Sequence, residues 1–107
     1  MHTPSQLSST SAPFGAQPRL AELSHTLLFG EIWARPVLDR RERSLITLAA
    51  LLALGRSEQF AIHLGIAETH GLRVEEISEL ITHLAFYAGW PAAHTASCVL
   101  AERQGAK

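Results

Sequence analysis

The stretch FAIHLG, residues 60–65, sets one imidazole, His63, among apolar residues and a glycine. An imidazole titrates near neutral pH. In such surroundings it is either a packed core group donating to a backbone carbonyl or a proton-transfer group in a pocket. On a helical wheel Phe60, His63, Leu64, Ala67 and Gly71 share a stripe, which turns His63 inward. Gln59 lies one turn before it, Arg56 two turns before it and His70 two turns after it, on the same side. Glu58 lies off that face and is given a secondary role, as are Arg56 and His70.

A second set of candidates is cationic or aromatic. RRER, residues 40–43, opens an apolar run, and Arg43 points where Thr47 and Ala50 point. An arginine there can snorkel, pair with a glutamate, or hold a carboxylate through its planar fork. WARP, residues 33–36, puts Trp33 and Arg35 on a stiff connector, and YAGWP, residues 87–91, makes an aromatic corner with Tyr87 and Trp90. The connector can line a pocket or plug the end of the bundle, and aromatics at a helix junction such as Tyr87 and Trp90 more often pack than contact a ligand.

Other chemistries lack their residues. The six histidines include a pair, His63 and His70, seven apart, which is not the i, i+4 spacing of a zinc helix, and no Cys or Asp cluster accompanies them. No glycine-rich phosphate loop and no nucleophile elbow is present, so no metal and no other cofactor is expected. Cys98 is the one cysteine, which excludes a disulfide framework and any dithiol chemistry within the chain.

These side chains need a scaffold, and the sequence specifies helices. Residues 1–18 contain three prolines and no charged side chain, and read as a flexible tail with Phe14 as a docking residue. The folded domain is expected over 19–107. A first helix is expected from Pro18 to about Phe29, ended or bent by Gly30. Pro36 interrupts next and forces Arg35 into an extended shape. The second helix runs from the N-cap Asp39 to Leu54 with Gly55 as its stop. Ser57 caps a third that ends at Gly71. The fourth covers about Val74 to Ala88, with Ile77, Leu80, Ile81, Leu84 and Ala88 on one face, and stops at Gly89. Pro91 opens a fifth that ends near Gln104. The expectation is an all-α bundle of about five helices.

Composition narrows the class. Apolar residues make up 47% of 107 positions and the net charge is −1, so the chain is globular and offers no electrostatic case for a nucleic-acid surface. A chain of this length hides roughly 60–68% of its surface. That leaves more apolar area than one small core absorbs, and an oligomer is expected. The strongest apolar run, LITLAALLAL, is half the length needed to span a bilayer. The N-terminus lacks the basic and apolar segments of a signal peptide, so a cytoplasmic protein without a membrane partner is expected.

Taken in order, WARP, RSLITLAAL, HLGIAETHGL and EEISELITHLAFYAGWPAA resemble the carboxymuconolactone decarboxylase family, from about Phe29 to Ala96. The resemblance implies an alkylhydroperoxidase D-like fold, a homo-trimer or homo-hexamer, and a decarboxylase of aromatic catabolism in the β-ketoadipate pathway. Its substrate would be a carboxylated lactone or related small acid. It also implies roles. His63 falls at the family's histidine and would donate a proton; Arg35 and Arg43 would seat carboxylates; Gln59 would contact substrate; Trp33, Leu64 and Tyr87 would form an apolar wall. A non-catalytic helical oligomer, binding a small molecule or purely structural, is the alternative.

The family's redox branch reduces peroxides through a Cys-x-x-Cys pair seven and four residues before the histidine. Arg56 and Gln59 stand there. The chain should therefore show no thiol-dependent reduction of an organic hydroperoxide. Turnover that disappears in Cys98→Ser would contradict this.

Overall fold

The computed structural model describes residues 16–106. The expected tail lies almost wholly outside them. Five α-helices follow in order: α1 Pro18–Leu23, α2 Arg40–Leu54, α3 Ser57–Thr69, α4 Val74–Ala88 and α5 Trp90–Ala106. A π-helical segment, Ser24–Ile32, continues α1. The described residues contain no strand. The all-α class is thus as the sequence predicts. The chain divides into two compact units at Asp39/Arg40.

In the first unit the helix does not end at Phe29. It widens at Ser24 and runs through Gly30 to Ile32, with the Trp33 N–H donating to the Leu28 carbonyl at 2.9 Å, five residues back. Gly30 is what allows this. A Cβ there would lie 2.9 Å from the His25 carbonyl oxygen, closer than side chains sit. No periodicity announces such a turn. Beyond it the Trp33 ring packs on Phe29 with centroids 5.3 Å apart.

The second unit is a four-helix arrangement. α2 and α5 touch each other, and α3 and α4 each pack on both. The core is apolar and continuous, with Leu48, Leu52, Phe60, Leu64, Ala67 and Ile77 among its most enclosed members. Of the stripe expected on α4, Ile77, Leu80 and Ile81 are buried and Leu84 and Ala88 partly buried, while Ala85, outside that reading, is buried as well. Three helices stop at glycines in the left-handed region, Gly55, Gly71 and Gly89, with φ of 74°, 92° and 101°. Two ends differ from expectation. Arg56, not Ser57, occupies the N-cap of α3 and makes no side-chain cap bond; Ser57 is the first helical residue. α3 leaves helical geometry after Thr69, before Gly71.

Polar ties fix the packing. Arg103 on α5 grips Glu68 on α3 through two N–H donors, at 2.8 and 3.3 Å. Arg41 on α2 pairs with Glu76 on α4, and Glu76 also accepts the Arg73 backbone N–H at 2.9 Å, closing the start of α4.

Leu48 is fully enclosed while Leu54, at the end of the same helix, is 68% exposed. Leu48→Ala should cost about 2–5 kcal/mol and Leu54→Ala under about 1 kcal/mol in urea unfolding. Equal costs would contradict this core.

Candidate active site

α3 carries most of the candidates, and its rotation decides what each one meets. Phe60, Leu64 and Ala67 are buried. Leu64, expected in a pocket wall, is instead enclosed in the core. His63 stands at the edge of this stripe, half-buried. Burial removes water from the imidazolium and holds its pKa below the ordinary 6.5. Gln59 and Glu58 are exposed on the first two turns.

His70 lies just past the end of α3. Its Nδ1 is 2.9 Å from the Ser44 hydroxyl on α2. Burial first, and the nearby Arg40 charge second, lower its pKa. Ser44 is 2% exposed, the buried polar group of the helical core. The sequence reading missed it. The signal was present, since Ser44, Leu48 and Leu52 share one helical face and a lone hydroxyl on a buried face needs a partner.

The remaining candidates are spread. Arg43 is half-buried on α2. Tyr87 is 77% exposed on α4, its ring 5.0 Å from that of His83, so it forms no wall within its own unit. Arg56 is exposed at the rim of a cavity between α2, α3 and α5. Trp33 is buried and Arg35 exposed in the first unit, where the Arg35 N–H donates to the Ile32 carbonyl at 3.2 Å. Cys98 is exposed on α5 with Sγ 3.7 Å from His94 Nε2. Among the described residues no three His, Cys, Asp or Glu side chains are grouped to hold a metal. No described helix is long and apolar enough to cross a membrane.

An all-α chain with a half-buried histidine on α3 has clear relatives. The chain belongs to the carboxymuconolactone decarboxylase family, whose model matches residues 18–102. It is 47% identical over 68 residues to a 4-carboxymuconolactone decarboxylase of Acinetobacter baylyi, covering 64% of this chain and 51% of that one. It is 36% identical over 70 residues to a nitrosuccinic acid decarboxylase of Metarhizium robertsii, covering 65% and 49%. The chain thus spans about half the length of the curated relatives it matches.

The two lowered histidines make stability depend on pH. Unfolded, both titrate near 6.5; folded, both titrate lower. Between those values the unfolded chain holds more protons, so stability falls as pH drops below about 6.5 and levels off below the folded pKa values. Ser44→Ala should cost about 0.5–1.5 kcal/mol at pH 7, and His70→Gln should flatten the acid limb of a stability-against-pH curve. An unchanged limb would contradict the assignment.

Proposed function

We propose that the chain is a carboxy-lyase acting on a small carboxylated lactone or related acid. Family membership and relatives named as decarboxylases support this reading. The observation that carries it is His63, half-buried on α3 with its pKa held below the ordinary value. In the proposed reaction the bond from carbon to the departing carboxylate breaks. CO2 leaves, and the electron pair enters an enolate-like allylic system. The imidazolium of His63 then forms the new C–H bond at the far end, and solvent reprotonates the imidazole. A lowered pKa makes that imidazolium a stronger acid than a solvated one.

Arg43 supplies a cation for a carboxylate that is retained. Arg35 and Trp33 keep the roles that the resemblance gives them, carboxylate seat and apolar wall. Tyr87 and Gln59, exposed in one chain, would act within an assembly. Exposed Ile46, Phe86 and Trp90 support a homo-oligomer; its being a trimer or hexamer of the cytoplasm that acts on aromatic-derived acids rests on the resemblance alone.

His63→Ala should lower CO2 release from 4-carboxymuconolactone by about 10²–10⁴-fold, with the melting temperature nearly unchanged. For the unmutated protein the rate should fall as pH rises through a value below 6.5. A destabilised variant with normal activity per folded molecule would reduce His63 to a packing residue.

A further inference from the structure

The end of α3 is tied to its neighbours on both flanks. On one flank His70 meets Ser44 of α2. On the other, Glu68 accepts two N–H bonds from Arg103 of α5, Nη2 to Oε1 at 2.8 Å and Nε to Oε2 at 3.3 Å. At about 100° per residue, Glu68 lies roughly 70° to one side of the buried stripe Phe60, Leu64 and Ala67, and His63 roughly 70° to the other. Any roll of α3 that moves Glu68 therefore moves His63.

The apolar stripe excludes large turns of α3 but not small ones. Phe60 and Leu64 hold its first half, and its second half adds only the methyl of Ala67. A roll of roughly 12° carries a side-chain tip, about 5 Å from the axis, through about 1 Å. A shift of that size at a reacting group can cost about 10²-fold in rate. The fork is what resists it. Two N–H bonds from a planar guanidinium to both oxygens of one carboxylate fix direction as well as distance. An ion pair this accessible adds little stability, so its effect is geometric. Gly65 fits the same arrangement. A glycine inside a helix weakens it relative to alanine. Here a Cβ would lie 3.3 Å from Nη2 of Arg103, so its absence lets the guanidinium lie against the α3 backbone while it holds Glu68.

We infer that Arg103 is a positioning residue for His63: its fork on Glu68, seated over Gly65, sets the roll of α3 and with it how far His63 stands out of the core. This rests on the proposal that His63 donates the proton, yet the protonation of His63 is read without turnover.

The test follows the His63 imidazole by NMR across pH in the full chain, beside the pH profile of CO2 release from 4-carboxymuconolactone. In the unmutated protein burial holds the His63 pKa below 6.5. Arg103→Gln frees α3 to roll and lets water reach the ring, so this pKa should rise toward 6.5. The inflection of the rate profile should rise with it, and the rate on its acid side should fall by about 10–10²-fold with KM little changed. Arg103→Lys keeps the charge without the fork and should fall in between. Exchanging the partners, Glu68→Arg with Arg103→Glu, should return the pKa and most of the rate. Arg19→Gln, which breaks an exposed pair in the first unit, should change neither. An unchanged His63 pKa and rate per folded molecule in Arg103→Gln, whatever the melting temperature does, would overturn the inference, as would a loss in Arg103→Gln that Arg103→Lys does not share. If the unmutated protein releases no CO2 while Arg103→Gln still moves the His63 pKa, the decarboxylase reading falls and the positioning stands. CO2 release with an unmoved pKa in Arg103→Gln removes the positioning alone.

Discussion

The rotation of α3 is set by three side chains. Phe60, Leu64 and Ala67 are enclosed, and α3 packs on α2 and α5. Turning the helix by even half a turn would put a phenylalanine and a leucine in water, at roughly 1.5–3 kcal/mol for each. Once that stripe is fixed, every other residue of α3 has a fixed bearing. At 3.6 residues per turn, Arg56, Gln59, His63 and His70 project onto one flank within roughly 60° of each other. The polar flank is therefore a consequence of the apolar one.

What each residue on that flank becomes depends on how far the neighbouring helices cover it. At the far end His70 meets Ser44 and loses water. Midway His63 is half covered, which lowers its pKa and leaves part of its surface open. At the near end Arg56 stays exposed over an apolar hollow. One helix thus presents a locked imidazole, a poised imidazole and a guanidinium in sequence. The Arg103–Glu68 fork clamps α3 to α5 and holds this presentation in place.

Much of this was legible in the sequence because local rules and core packing agree. The α4 stripe and the glycines after α2, α3 and α4 were readable from spacing and left-handed backbone preference. The π-helical segment was not, because its widening depends on a close approach at Gly30 rather than on a pattern of residue types. Ser57 looked like a cap because serine is a good one, yet the backbone begins α3 one residue earlier than that reading allows. In the site, periodicity gave the side of α3 correctly but not the depth. It set Leu64 on the buried stripe, as the structure has it, but set His63 inside that stripe, where the structure has it at the edge; the wall role that the resemblance gave Leu64 does not fit its place in the core. Depth depends on which helices pack alongside, and Ser44 and the cavity under Arg56 both arise from that packing.

In the proposed reaction α3 aims a proton donor at one face of a bound acid. Running the decarboxylation of 4-carboxymuconolactone in D2O, with the product read by deuterium NMR in a chiral aligning medium that separates the two enantiotopic C–D positions, probes this role. A donor held on a rigid helix delivers one solvent deuterium to a single face of the newly protonated carbon. Deuterium distributed equally over both faces, or no release of CO2 at all, would contradict the account.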